Sequence, residues 1–251
     1  MSALLAALSL LFGICIAVFV TGGAAAVVFC AVIAIAASVA LQKINVEKTL
    51  LIQLFVGGLL ARVLVGTAIY HLHLQEFFGG DALTYDALGY LVLKAWTAKI
   101  SYGNEVTELL GNGTGWGMVY LVVGIYSVLG RNMLAVQFFN AVLGAATAPI
   151  IYLCARHIFQ NSRVARIAAF FVAFYPSLVL WSSQGLKDGP IVFLLALVML
   201  ATLKLGERFD ARFFISLVGS MMVLFSLRFY IFFMVAAAVG GAFVVGMRPL
   251  N

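Results

Sequence analysis

The sequence predicts an all-α, polytopic membrane bundle of about eight transmembrane helices, with two further helices lying on the outer surface. Two observations carry this. The 251 residues are 65% hydrophobic and only 10% charged, where a soluble domain has roughly 25% charged residues, so a soluble fold could not cover its own surface. The apolar residues also fall into blocks near the roughly 20-residue length that crosses a bilayer. The blocks do not alternate polar with apolar as a membrane β-barrel would, and a helix pairs its own backbone inside lipid.

The spans are expected at residues 3–20, 24–41, 49–71, 133–155, 164–183, 190–204, 213–227 and 231–246. Thr21-Gly22-Gly23 is a tight outer turn, and residues 42–48 make a short polar loop. The first block has no basic segment before it and a second block follows at once, so it reads as a span rather than a cleaved signal. Residues 1–251 read as a single transmembrane domain. Within it, 1–48 form an additional N-terminal helix pair, and 49–247 a helical core with one long outer loop at 73–132.

That loop contains a further apolar run, 118–129. Charge decides its placement. If the run stays at the outer surface, the cytoplasmic side holds nine basic residues (Lys43, Lys48, Arg156, Arg163, Arg166, Lys204, Arg208, Arg212, Arg248). The outer side then holds five (Lys94, Lys99, Arg131, Lys187, Arg228). This is the direction the positive-inside rule demands. A crossing would invert the split, and 12 residues are short for a span. The run therefore reads as a surface or re-entrant helix, with both termini cytoplasmic. A second surface helix is expected over 82–99, with Asp81 as its N-cap and Trp96 at headgroup level. The Gly/Asn-rich stretch 101–117 between them is expected to be mobile.

Cys15, Cys30 and Cys154 lie in or beside apolar blocks and read as small buried hydrophobes, without disulfide or zinc spacing. His71 and His73 are two apart and point away from each other on a helix, so no metal site is assigned. Asn112-Gly113-Thr114 matches a glycosylation sequon of low specificity. The net charge of +6 is dispersed over helix ends and speaks for membrane orientation rather than nucleic acid.

Five charged residues stand out on the expected outer face: Asp81 and Asp86, Lys187 and Asp188, and Arg228. They come from three loops that could converge on one cavity. Each has a plainer reading: a helix cap for Asp81, a solvated helix residue for Asp86, a loop between spans for Lys187 and Asp188, a lipid-phosphate contact for Arg228. Arg62 is different, because it sits deep in its apolar block. A charge there costs at least ~2.5 kcal/mol on insertion scales, so it must face a partner or a wet cavity.

Further motifs lie along the same stretch: Gly79-Gly80-Asp81 and Tyr85; Tyr126 to Asn132; Asn140-Ala141-Val142-Leu143-Gly144; Tyr152 to Phe159; Tyr175-Pro176-Ser177; and Leu186-Lys187-Asp188. This order resembles the GT-C glycosyltransferases, in particular the protein-mannosyltransferase and aminoarabinose-transferase-like group, over about residues 50–245. The resemblance implies transfer of a sugar from a polyprenyl-phosphate donor to an acceptor at the extracytoplasmic face of a bacterial inner membrane. It implies Asp81 as the essential acid of the first outer loop and Asp188 as that of the second. It also places Arg228 and Tyr230 near the carrier phosphate. From the residue types themselves, Lys187 is expected to hold that phosphate too, and Asp86 and Arg62 are further candidate substrate contacts. No cofactor is required by these motifs, and a divalent metal stays open. The partners are the lipid-linked donor, membrane lipid and an acceptor of unknown identity, with no nucleic acid.

The chain departs from the pattern in its two added N-terminal helices, in Gly113-Thr114-Gly115-Trp116-Gly117 where relatives carry a proline segment, and in its shortness, which leaves a fragment or an inactive relative open. Two other classes compete. One is a transporter or flippase, which would favour repeats and midplane charges, and only Arg62 fits. The other is a non-catalytic subunit of an envelope complex.

Overall fold

The computed structural model describes residues 3–78, 80–98 and 116–246. Gly79, Lys99, most of the 101–117 stretch with its sequon, and Arg248 to Asn251 lie outside the described residues. Among the described residues the chain is helical throughout. The elements are α1 (Ala3–Phe19), α2 (Gly23–Gln42), α3 (Lys48–His71), α4 (Asp81–Ala98), α5 (Trp116–Leu129), α6 (Met133–Phe159), α7 (Ser162–Phe174), α8 (Pro176–Ser182), α9 (Asp188–Glu207), α10 (Ala211–Leu227) and α11 (Phe229–Gly246).

Every expected span coincides with a helix, and one of them breaks. Helices α2, α3, α6 and α9 are each long and apolar enough to cross a membrane, and α7 with α8 makes a fifth such segment if taken together. Helices α1, α10 and α11 are shorter apolar helices. The expected single span at 164–183 is instead bent by 49° between α7 and α8. Its cause is Pro176, the first residue of α8. Proline has no N–H to offer the carbonyl four residues back, and it drives the residue before it out of the helical region. Tyr175 accordingly has φ −62 and ψ 123.

Helix α6 is the centre of the bundle. In its most apolar stretch 67% of the residues are buried, against 11% in α2. Close approach around it depends on small residues, as in membrane interfaces generally. A Cβ on Gly144 would lie 2.5 Å from Ser182 Cβ, and one on Gly66 of α3 would lie 2.7 Å from the Ser183 carbonyl. Helix α8 is thus held between α3 and α6 with no room for a methyl group on either side. On α7, Ala165, Ala169 and Ala173 are buried at four-residue spacing, while Ile167, Phe170 and Phe171 face outward. Large exposed apolar side chains also cover α1, α2 and α11, the composition expected of lipid-facing surface.

Helices α4 and α5 pair closely. Gly89 lets them touch, since a Cβ there would fall 2.5 Å from Val122 Cγ1, and Val92, Val119 and Val123 fill the seam. Trp96 stacks on Tyr120 with centroids 5.8 Å apart. At its start α5 abuts the end of α10, where Gly117 leaves space for Ser226. At its other end Asn132 caps α6 through Ala135 N and donates to the Gly22 carbonyl of the α1–α2 turn. The two short helices therefore sit at the end of the bundle where α1, α3 and α10 finish and α6 begins.

The opposite end carries its own ion pairs. Arg166 grips Glu47, with Nη2 to Oε1 at 2.6 Å, and the hydrogen bond from Arg166 holds the Glu47 carboxyl below its ordinary range. Lys204 meets Glu207 at 2.9 Å. Polar chemistry is thus concentrated at the two ends, with an apolar girth between them. One cysteine departs from expectation: Cys30 and Cys154 are buried, but Cys15 is exposed on α1.

Candidate active site at the α4–α5 end of the bundle

Three segments meet at this end: the start of α4, the loop 183–187 leading into α9, and the junction of α10 with α11. The loop is unusual in being buried. Ser183, Gln184, Gly185 and Leu186 are covered, while Lys187 and Asp188 are half-buried at its exit. Gly185 faces Val136 of α6 and Ala82 of α4, a Cβ there lying 3.6 and 3.8 Å from their side chains. The residue after Asp81 therefore packs directly against the loop that carries Lys187 and Asp188.

Asp188 is the first residue of α9, and Arg228 Nη2 reaches its Oδ1 at 3.2 Å. Arg228 is held there by backbone. It closes α10 by donating its N–H to the Leu224 carbonyl, and its own carbonyl accepts from Ile231 and Phe232 at the start of α11. Lys187 Nζ stands 5.8 Å from the Tyr85 ring centroid, and Tyr85 is one helical turn beyond Asp81. Tyr230 is exposed on the first turn of α11, edge-on to Phe229.

Asp81 itself is exposed. It is the first residue of α4 rather than its N-cap. The Gly80 carbonyl takes the first bonds of the helix, from Leu83 and Thr84, and Gly80 has φ 70, which favours glycine. The Asp81 side chain makes no hydrogen bond or ion pair with any other described residue.

Asp86 turns away from this group. It is buried, accepts a hydrogen bond from the Tyr126 hydroxyl, and receives Arg131 through Nη2 at 2.5 Å and Nε at 3.2 Å. The Arg131 guanidinium is held above its ordinary range by its hydrogen bond to Asp86, while burial, and then its own hydrogen bond to Asp86, raises the Tyr126 phenol. Arg131 also lies 4.8 Å over the Tyr90 ring. In place of a solvated or phosphate-binding carboxylate, Asp86 is the clasp that fastens α4 to α5 and to the turn before α6. Tyr126→Phe removes one donor to a buried carboxylate, a loss of about 2 kcal/mol. It should lower the unfolding temperature in detergent, whereas an unchanged temperature would count against the clasp.

Arg62 has the partners its depth demands: three backbone carbonyls and one serine hydroxyl. Its Nη1 donates to Ala173 O at 2.6 Å and Gly58 O at 3.0 Å, its Nη2 to Val172 O at 3.3 Å, and its Nε to Ser182 Oγ at 2.8 Å. The Val172 carbonyl is the one whose helical donor would have been the missing N–H of Pro176. The guanidinium therefore closes the C-terminal end of α7, where a cation is also favoured by the helix dipole.

A cavity of about 340 Å³ begins at this arginine and reaches Asp188. Its walls include Gly144 and Thr147 of α6, Val172 of α7, Leu178 and Trp181 of α8, and Val192 of α9. It is mainly apolar, with Arg62, Thr147, Ser182 and Asp188 as its polar lining, the usual make-up of a ligand site. No three His, Cys, Asp or Glu side chains come together among the described residues.

The structure thus joins Asp188 to Arg228 and sets Lys187 beside them. It packs the start of α4 against the same loop, and assigns Asp86 and Arg62 to holding the architecture. Sequence reasoning placed Tyr126, Arg131 and Asn140 within motifs but gave them no individual role. The amide of Asn140 is fully buried and donates to the Gln184 and Leu186 carbonyls at 2.7 and 2.6 Å. Besides its place in a motif, its signal was a polar side chain in the middle of an apolar block.

The helical membrane bundle is the architecture of the GT-C glycosyltransferases, and a family match supports that class. Residues 115–250, more than half of the chain, match the dolichyl-phosphate-mannose-protein mannosyltransferase family, and the chain belongs to that family. The matched segment contains Arg131, Asn140, Lys187, Asp188, Arg228 and Tyr230, and begins after Arg62, Asp81 and Asp86. No curated protein and no solved structure matches.

Proposed function

We propose that the protein transfers a sugar from a polyprenyl-phosphate donor to an acceptor hydroxyl at the extracytoplasmic face of a plasma membrane. The observation that carries this is the Asp188–Arg228 pair with Lys187 beside it, at the head of a mainly apolar cavity and against the start of α4. One side of such a site can hold a lipid phosphate, and the other presents an unengaged carboxylate.

In the reaction the acceptor oxygen attacks the anomeric carbon, the bond from that carbon to the phosphate oxygen breaks, and polyprenyl phosphate leaves. Asp81 takes the acceptor proton. A base must be unencumbered and within hydrogen-bond reach, and of the three aspartates discussed, Asp86 and Asp188 are each engaged by an arginine. Charge grows on the departing phosphate, where Arg228 and Lys187 stabilise it, the arginine with paired donors. Asp188 keeps Arg228 aimed. Tyr230 flanks the phosphate from α11. The anomeric carbon acquires oxocarbenium character as in glycoside hydrolysis, with phosphate in place of an alcohol as leaving group.

The nine-to-five distribution of basic residues supports placing this end outside, with the termini in the cytoplasm. Helices α1 and α2 form an N-terminal addition to the catalytic bundle within one transmembrane domain. Mannose, the sugar in the family's name, is the first to try. The purified chain in lipid, given polyprenyl-phosphate mannose and then other hexoses with a mixture of hydroxyl acceptors, should release polyprenyl phosphate in step with glycosylated product. Binding of the carrier with no transfer from any donor would move the reading to a transporter or a non-catalytic subunit.

A further inference from the structure

We propose that Asn140 is a positioning residue for glycosyl transfer, fixing the loop that presents Lys187 and Asp188. The proposal rests on the reading of the site given above. Loops ordinarily run over the surface, because buried backbone must find partners. Residues 183–186 are buried all the same. Asn140 resolves this for two of them, since its single amide nitrogen spans the Gln184 and Leu186 carbonyls. One side chain thereby sets the curvature of the loop immediately before Lys187.

The rest of that face of α6 serves the same end. Val136, Asn140 and Gly144 recur every four residues and so form one stripe. Val136 supports Gly185, and Gly144 admits Ser182. Gly189, just past Asp188, would set a Cβ 3.6 Å from Asn140 Cβ. The loop is therefore seated on α6 from Ser182 to Gly189, and Asn140 is its only polar fastening to α6 among the described residues. Asn140 does not face the substrate and acts through Lys187 and Asp188.

Asn140→Asp keeps the shape and exchanges the donor for an acceptor aimed at two carbonyls. Hydrogen exchange by mass spectrometry on the full chain in lipid nanodiscs should show faster exchange across residues 183–188, with α3 and the rest of α9 unchanged. With polyprenyl-phosphate mannose as probe, KM should rise about tenfold, the equivalent of one hydrogen bond, with a smaller change in kcat. Activity relative to wild type should recover as pH falls, because a protonated carboxyl again donates to one carbonyl. A general loss of packing would give no such recovery.

Unchanged exchange in 183–188 overturns the proposal. So does faster exchange with KM and pH profile as in wild type, because the loop's position would then not matter to transfer. Asn140→Ala, which carries no charge, guards against misfolding of the aspartate variant and should reproduce the exchange and KM changes without the pH recovery. A wild-type chain that transfers no sugar overturns the reading on which this rests, and the exchange measurement, which needs no turnover, tells that failure apart.

Discussion

In the Asp81→Asn variant, sugar transfer from a polyprenyl-phosphate donor falls by about 10²–10⁴-fold, the usual contribution of a positioned general base. The unfolding temperature stays at the wild-type value. The reasoning is local. Asp81 is exposed at the head of α4 and bonded to no other described residue, so the amide disturbs no packing and removes only the capacity to accept a proton. Donor binding, measured as retention of radiolabelled carrier, should be nearly unaffected. Transfer within a few-fold of wild type would remove Asp81 from the mechanism.

The second large effect belongs to Arg62 and is one of stability. Arg62→Met keeps much of the side-chain volume but withdraws every donor that α7 and α8 use. The carbonyls of Val172 and Ala173 and the hydroxyl of Ser182 lose this buried partner. Each orphaned group costs about 1–3 kcal/mol, so the variant should lose at least about 3 kcal/mol and unfold in detergent at a clearly lower temperature. Arg62→Lys should recover only part of this, since an ammonium cannot reproduce the planar fork. An Arg62→Met chain with wild-type unfolding would mean that the broken segment is held by packing alone.

How far the sequence reveals this arrangement can be followed residue by residue. Block length located the helices, because lipid imposes one length and one polarity on whatever crosses it. Charge at block ends also singled out Lys187, Asp188 and Arg228, two of which the structure pairs. The depth of Arg62 announced that it needed partners. Their identity was hidden, because the distant ones are the Val172 and Ala173 carbonyls and the Ser182 hydroxyl around a proline 114 positions later. Pro176 was visible, but a proline inside an apolar block marks a break only when neighbouring helices can take up the loosened carbonyls.

Asp86 was hidden for a related reason. Its partners Tyr126 and Arg131 lie 40 and 45 residues away, and nothing along the chain says that α4 and α5 lie side by side. Asn140 was legible as a polar residue in an apolar helix. Its role depends on how a loop from another part of the chain is draped over it.

The bond between α3 and the break at Pro176 bears on how the chain enters the membrane. Helix α3 by itself carries an arginine that lipid disfavours, yet it is otherwise apolar and long enough to span. The α7–α8 segment by itself has carbonyls that no helix turn satisfies, and in lipid these are costly. Each is a poor membrane segment alone, and each supplies what the other lacks. Synthesis delivers them in a workable order: the guanidinium is in the bilayer before the broken segment emerges, so the kinked helix can be received by an arginine already in place.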